Sequence, residues 1–189
     1  MRLISGTVCS TPTEWLPALS HIAPPPLRRK QALVKMYDKI QANLQIPLHD
    51  DLLEIPHTRL SSRKPPLSLG KHLRDRNFNM DAEWKDEWIQ STHQSPLFEF
   101  AGSSFSRKES SLPRKALCYL NRLRTHHGRC NSCLFKWGLT DDESCECGHS
   151  KQTTDHILYD CPSLSFKGNI EDIKTLSSEA VAWLQSLPL

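Results

Sequence analysis

No apolar run in this sequence approaches the roughly 18 residues that a membrane-spanning helix requires. A glycine-rich phosphate loop and a G-x-S-x-G nucleophile elbow are also missing. Glycine is scarce, with 7 residues, whereas proline is frequent, with 13, and hydrophobic residues make up 38% of the chain. This composition predicts small packed units joined by open loops, because the apolar content is low for one large core.

The sequence also shows no secretory signal, because Gly6 and Pro12 interrupt the apolar run that a signal peptide would need near the N-terminus. We therefore expect an intracellular protein, in the nucleus or the cytoplasm, where thiols stay reduced. In such a compartment the seven cysteines favour metal binding over disulfides.

Acidic residues are absent from residues 111–140, although the whole chain has a net charge of only +3. Residues 141–189, in contrast, carry nine acidic and three basic side chains. A basic segment of this kind favours RNA or DNA as a partner, and the ordinary alternative is a solvated helix face. The six basic residues of the segment are Arg114, Lys115, Arg122, Arg124, Arg129 and Lys136.

Apolar residues recur at helical spacing, so we predict a mainly α fold of short helices with long proline-rich loops. A basic helix is predicted to run to about Thr125, with Ala116, Leu120 and Leu123 as its apolar stripe. The clearest helical pattern covers residues 27–44, and its apolar positions are Leu33, Met36, Tyr37, Ile40 and Leu44.

Three segments are predicted along the chain. Residues 1–45 form a helical segment, and residues 46–110 form a proline-rich connector that is partly disordered. The connector holds one short helix that starts near Asp81 and carries Trp84 and Trp88 on one side. Residues 111–189 combine the basic helix with a small zinc-stapled knuckle.

The knuckle is predicted from the stretch CECGHSKQTTDHILYDC at residues 145–161. Its spacing, C-x-C-x8-H-x4-C, places three thiols and one imidazole within 17 residues. Zinc takes four such donors in a tetrahedron, and a set without an open position is structural rather than catalytic. The predicted zinc ligands are Cys145, Cys147, His156 and Cys161.

Two alternatives for the metal site stay open at this stage. Cys130 and Cys133 have C-x-x-C spacing and can complete an all-cysteine site with Cys145 and Cys147, although Cys133 is more simply a core residue or a free thiol. His149 can replace His156. The two remaining cysteines are expected to be small buried apolar residues: Cys9 and Cys118.

The run LPRKALCYLNRLRTHHGRCNSCLFKWGLTDDESCECGHSKQTTDHILYDCP resembles the C-terminal segment of reverse transcriptases from LINE-type, jockey-like non-LTR retrotransposons. The N-terminal MRLISGTVCSTPTEWLPALSHIAPPPLRRK is similar to the end of the thumb region in the same proteins, and SSEAVAWLQSL is similar to their tail. The resemblance therefore implies a fragment of such an element, with residues 1–45 as a thumb-like segment. The motifs that carry it are R-x-R-T-x-x-G at Arg122–Gly128, KWG at Lys136–Gly138, C-x-C-G at Cys145–Gly148, Q-T-x-x-H at Gln152–His156 and C-P at Cys161–Pro162.

In that family the zinc-knuckle segment follows the polymerase, which implies a role in engaging template RNA or target DNA. A polymerase needs paired carboxylates that hold two metal ions, and the family places them after an aromatic residue. The pairs at residues 50–51 and 141–142 lack that aromatic, so we expect no catalysis from this chain alone. Polymerase domains would have to come from another chain.

The sequence therefore predicts a zinc-dependent nucleic-acid-binding module without a polymerase active site. Its basic residues would contact phosphates, and Trp137 or Phe135 is a candidate to stack on an unpaired base, with burial in the core as the alternative for both. The alternative is a non-functional or protein-interaction remnant that folds around zinc and binds no nucleic acid.

Overall fold

The computed structural model describes residues 1–53, 65–91, 93, 95–104 and 107–188. Helices, turns and loops make up this part of the chain, and no β-strand occurs in it, which confirms the predicted mainly α fold. The helices are α1 (Arg2–Ser5), α2 (Trp15–Ser20), α3 (Pro25–Gln41), α4 (His49–Leu53), α5 (Pro66–Asp75), α6 (Met80–Ile89), α7 (Arg107–Ser110), α8 (Arg114–Thr125), α9 (Asn131–Lys136), a π-turn (His156–Asp160), α10 (Ile170–Thr175) and α11 (Ser178–Ser186).

Two compact units divide the chain differently from the three predicted segments. The terminal unit comprises Met1–Ile22 and Ser91–Leu189, and the middle unit comprises Ala23–Gln90. The predicted segment 1–45 is thus split at Ile22, because its first part packs with the C-terminal half of the chain.

The core of the terminal unit forms where α8 packs on α11. Ala116, Leu120 and Leu123 are at most 1% exposed, in agreement with the stripe predicted for α8. They share one cluster of buried side chains with Ile157 and Leu184. Burying a leucine or isoleucine stabilises a fold by about 1.5–3 kcal/mol, so this cluster holds the C-terminal half together.

Residues at the N-terminus complete the terminal unit by packing on α8. The side-chain amide of Asn121 donates to the Ser5 carbonyl at 2.9 Å, inside the protein. Gly6 ends α1 in the left-handed region, with φ 68°. A Cβ atom at Gly6 would lie 2.9 Å from Cβ of Cys118, so glycine is required both by its conformation and by the close approach of α8.

In the middle unit, α3 packs against α5 and α6. Tyr37 and Ile40 are buried, as predicted, but Met36 is 55% exposed and Leu44 is 78% exposed. The predicted apolar face is therefore partly wrong. Leu44 lies beyond the end of α3 at Gln41, and within the helix the buried face includes Leu27 and Val34 rather than Met36.

An ion-pair network holds the start of α3 to α6. Lys30 pairs with Glu83, whose carboxylate also accepts a hydrogen bond from Arg76 Nη2 at 2.8 Å. Lys30, which lies in the first turns of α3, is thus paired with the carboxylate of Glu83 and is not merely exposed to solvent.

Ordered helices occupy part of the predicted connector. The helix expected near Asp81 is present as α6, capped by the Asn79 side chain, and its Trp84 is 3% exposed. Helix α5, which begins at Pro66, was not predicted within the proline-rich connector. Proline interrupts the interior of a helix but is favoured at the first helical position. Residues 54–64 of the predicted connector lie outside the described ranges, so the expectation of partial disorder is not tested there.

None of the helices in the described part of the chain combines the length and the apolarity that crossing a bilayer requires.

Candidate metal centre

A tight turn presents the first two thiols of the predicted knuckle. The amide of Gly148 donates to the Cys145 carbonyl at 2.9 Å, and the amide of Cys145 donates to the His149 carbonyl at 2.8 Å. Gly148 has φ 90°, a conformation that L side chains rarely adopt. The turn therefore brings Cys145 and Cys147 to the same side.

The π-turn presents the other two donors. Thr153 caps its start, since the Thr153 hydroxyl accepts a hydrogen bond from the amide of His156 at 3.0 Å. The amide of Cys161 donates to the His156 carbonyl at 2.7 Å, which is an i→i+5 bond. Such a bond places residue i+5 about one turn above residue i, so His156 and Cys161 face the same side although they are five residues apart.

Together the two turns gather the four predicted ligands. Their donor atoms lie within 4.8 Å of one another, with Cys145 Sγ 3.7 Å from Cys161 Sγ and Cys147 Sγ 3.3 Å from His156 Nε2. Ligands at a tetrahedral zinc, with Zn–S of about 2.3 Å and Zn–N of about 2.0 Å, are about 3.5–3.8 Å apart. The four side chains could therefore hold a metal ion without large rearrangement.

Burial gives the cluster a dry environment. Cys145, His156 and Cys161 are at most 5% exposed, and Cys147 is half-buried. Burial by itself raises the pKa of Cys161, but hydrogen bonds from the Ser163 hydroxyl and from the amides of Leu164 and Ser163 outweigh it and lower the pKa to about 6. The thiolate of Cys161 is thus favoured, and the thiolate is the metal-binding form of cysteine. The hydrogen bond from the His149 backbone lowers the pKa of Cys147, but burial and the thiols of Cys145 and Cys161 outweigh it, so that pKa is raised instead.

The alternative ligands lie outside this cluster. Cys130 is buried in the hydrophobic core, and Cys133 packs against that core. The ring of His149 stacks on the ring of His156, with centroids 4.3 Å apart, and its Nδ1 lies 2.9 Å from the Lys151 carbonyl. The structure therefore favours His156 over His149. Cys9 is exposed and Cys118 is half-buried, so the expectation of two buried residues was wrong.

A buried glutamine, Gln152, supports the metal centre. The sequence identified this residue only as the first position of the Q-T-x-x-H motif and did not predict its contact with a ligand. Gln152 Nε2 donates to Cys145 Sγ at 3.5 Å, and its Oε1 accepts from the amide of Asn131 at 3.0 Å. The backbone of Gln152 also bonds to Glu143 and Ser132. Gln152 therefore connects a metal-site sulfur to the start of α9.

One predicted nucleic-acid contact, Arg124, lies in the interior instead. Its side chain is 7% exposed, and its guanidinium donates to the carboxylate of Glu109 at 2.6 Å and to the Leu97 carbonyl at 3.0 Å. A guanidinium that is buried and bonded in this way cannot reach a phosphate, so Arg124 is removed from the predicted set.

The other basic residues lie at least partly on the surface. Arg114, Lys115, Arg129 and Lys136 are exposed, and Arg122 is half-buried; we call these five residues the basic face. The guanidinium of Arg114 donates hydrogen bonds to the backbone carbonyls of Leu3 and Ile4 in α1.

Like charges crowd together within the basic face. The cationic groups of Lys115 and Arg122 each lie 5.4 Å from the ring centre of Tyr119. Partial burial, followed by the nearby charges of Arg129 and Arg114, lowers the pKa of Arg122. Within the described ranges, no carboxylate forms an ion pair with Lys115, Arg129 or Lys136. Such crowding of like charges is unfavourable in the free protein.

A hydrogen bond joins the end of α8 to the metal-binding turn. His126 Nδ1 lies 2.6 Å from the carboxylate of Asp155, which directly precedes His156. The metal-binding segment is therefore tied to the end of α8, the helix that carries Arg114, Lys115 and Arg122. Trp137 follows α9 and is half-buried, whereas Phe135 is 46% exposed.

No protein-family model, no curated protein and no solved structure matches this chain.

Proposed function

We propose that this protein is a zinc-dependent nucleic-acid-binding module, as the resemblance to jockey-like reverse transcriptases implied. The observation that carries the proposal is the basic face beside a Cys3His cluster. Phosphates would bind Arg114, Lys115, Arg122, Arg129 and Lys136, and the proposed partner is RNA or DNA.

Zinc is the proposed ion because the donor set matches its chemistry. Three thiolates and one imidazole at tetrahedral spacing are typical of structural zinc sites. Zinc would fix the turn that carries His156, and through Asp155 and His126 it would fix the end of α8. Loss of the metal would therefore disturb the phosphate-binding surface, although zinc touches no phosphate.

The proposed action is binding rather than catalysis, with any polymerase domain supplied by another chain. The side chains of Asp141 and Asp142 are exposed in the loop between α9 and the knuckle. Incubation with a primer–template and nucleotides should give no extension, and metal-dependent extension would contradict this part of the proposal.

Fluorescence anisotropy of a labelled RNA stem-loop, over a salt series, tests the proposal. We expect affinity to fall steeply with salt, because binding releases counterions from phosphates. A zinc chelator should abolish binding. Salt-independent affinity, or no binding by the folded, zinc-loaded protein, would instead favour the remnant hypothesis.

Charge variants locate the surface. The double variant Arg129→Ala, Lys136→Ala should weaken binding and reduce the salt slope by about one unit per lost contact. Lys35→Ala, Lys39→Ala is the control matched in charge, since both are exposed lysines of α3 in the middle unit. An equal effect in both proteins would mean that binding follows net charge and not the basic face.

A further inference from the structure

Outside the metal cluster, a second pair of cysteines meets at the start of α9. Cys130 is the residue before the helix, and the amide of Cys133 donates to the Cys130 carbonyl at 2.9 Å, which closes the first turn. A turn closed by such an i→i+3 hydrogen bond has its first and last Cα atoms less than about 7 Å apart, which is the separation that a disulfide allows. The thiol of Cys130 is also a hydrogen-bond partner of the Cys133 thiol.

The two cysteines differ in their exposure to solvent. Cys130 is 1% exposed, whereas Cys133 is only half-buried. A small disulfide from solvent can therefore reach Cys133, while Cys130 stays protected behind it. One accessible and one buried thiol is the arrangement that thiol–disulfide exchange uses, because the buried thiol resolves the mixed disulfide formed at the accessible one.

The turn that carries both cysteines is held firmly. The Asn131 side chain donates to the Ser144 carbonyl at 2.7 Å, and the amide of Ser132 donates to the Gln152 carbonyl at 3.1 Å. These bonds anchor the two residues between the cysteines, Asn131 and Ser132, so the turn keeps Cys130 and Cys133 near each other in the folded protein.

We infer that Cys130 and Cys133 form a reversible dithiol–disulfide site whose oxidant is a low-molecular-weight disulfide. This site is separate from the metal centre and does not depend on the proposed nucleic-acid binding. The three cysteines of the metal centre are expected to resist oxidation, because thiolates that bind zinc are not free to attack a disulfide.

The reaction balances without a further reagent. Cys133 releases its proton to solvent, and its thiolate attacks one sulfur of the small disulfide, which expels the first small thiolate. Cys130 then loses its proton and attacks Cys133 Sγ, which expels the second. Two cysteine thiols are oxidised to one disulfide, the small disulfide is reduced to two thiols, and the two released protons neutralise the expelled thiolates.

The thiolate of Cys133 is scarce at neutral pH. Burial raises the pKa of Cys133, and the neighbouring Cys130 raises it further, whereas Gly128 and Lys136 lower it. Oxidation should therefore become faster as the pH rises from 7 to 9, since the thiolate is the attacking species.

Peptide mass spectrometry tests the inference on the zinc-loaded wild-type protein. The protein is incubated with oxidised glutathione at pH 8, unfolded, alkylated with iodoacetamide and digested with trypsin. Cleavage after Arg129 and Lys136 releases residues 130–136, which contain both cysteines and no other. We expect this peptide to be unalkylated and lighter by two hydrogen atoms, with Cys145, Cys147 and Cys161 alkylated.

Other results would overturn the inference. A doubly alkylated peptide, a glutathione adduct without the internal bond, or earlier oxidation of the zinc ligands would each do so. In Cys130→Ser, the mixed disulfide on Cys133 should accumulate, because the resolving thiol is missing. Cys118→Ser is the control and should behave like the wild type. The wild-type result stands even if a variant fails to fold.

Discussion

The guanidinium of Arg124 on α8 contacts the carboxylate of Glu109 on α7 at 2.6 Å, with both side chains buried. His21, from the N-terminal part of the same unit, approaches the second carboxylate oxygen at 3.4 Å. The ring of Phe98 packs against the guanidinium, 5.3 Å from Arg124 Cζ. Three separated parts of the chain therefore meet at one buried carboxylate.

The contact between Glu109 and Arg124 makes stability depend on pH. Burial alone raises the pKa of Glu109, but the hydrogen bond from His21 and the charge of Arg124 outweigh it and lower the pKa to about 2. Since the unfolded value is 4.5, Glu109 stabilises the fold fully above pH 4.5. That contribution is lost as the pH falls toward 2, and we expect about 2 kcal/mol to be lost by pH 3.

Urea unfolding of the wild type and of Glu109→Gln at pH 7 and pH 3 measures this contribution. The variant should be less stable at pH 7 by about 3–5 kcal/mol, because Arg124 stays buried without its charge partner. It should also lose about 2 kcal/mol less than the wild type on acidification. Metal loss at low pH affects both proteins alike, and Glu99→Gln, at an exposed position, should keep the wild-type profile. Parallel pH profiles for the wild type and Glu109→Gln would contradict the assignment.

Removal of one buried thiol should abolish metal binding. Cys161→Ser is expected to lower the zinc content from one ion per chain to almost none, because a hydroxyl is a poor replacement for a zinc-bound thiolate. The knuckle should then unfold, since metal-binding free energy is folding free energy in small zinc sites. Metal analysis and thermal unfolding measure both effects. Cys9→Ser, at an exposed cysteine, should retain one zinc ion, and equal metal content in the two variants would rule out the site.

Gln152 should tune metal affinity without binding the metal. Gln152→Ala removes the donor to Cys145 Sγ and the acceptor for the Asn131 amide, so we expect zinc affinity to fall by about 10–100-fold. Competition with a chromophoric chelator measures the change. The control is Gln185→Ala, at an exposed position on α11, and it should leave affinity unchanged. A wild-type affinity in Gln152→Ala would show that its hydrogen bonds serve only to hold α9.

Gly6 and Gly138 form a matched pair for testing how the N-terminus packs. Both have φ near +69°, so alanine at either position costs about 1–2 kcal/mol of backbone strain. A Cβ at Gly6 would also collide with Cys118, whereas a Cβ at Gly138 meets nothing within 4 Å. Gly6→Ala should therefore destabilise the protein by about 1–3 kcal/mol more than Gly138→Ala in urea unfolding. Equal losses would show that Gly6 does not pack tightly on α8.

Two local features of this protein, the cluster of metal-site donors and the apolar stripe of α8, could be predicted from the sequence. The four metal-site donors lie within 17 residues, and a short turn followed by a capped helical turn is enough to bring them together. The stripe of Ala116, Leu120 and Leu123 is equally local, because helical periodicity places the three side chains on one face whatever they pack against. The π-turn that aligns His156 with Cys161 is a smaller local detail that spacing did not predict.

Tertiary structure alone decided which basic side chains of α8 face solvent. Arg122 and Arg124 are two residues apart and equally basic in sequence, yet Arg124 is buried because the carboxylate of Glu109, on another helix, neutralises it. His21 contacts the second oxygen of the same carboxylate. Gly6 packs closely against Cys118, and the first 22 residues accordingly belong to the terminal unit, which the sequence did not indicate. Burial of a charge depends on a partner brought by the fold, and no periodicity within one helix encodes that partner.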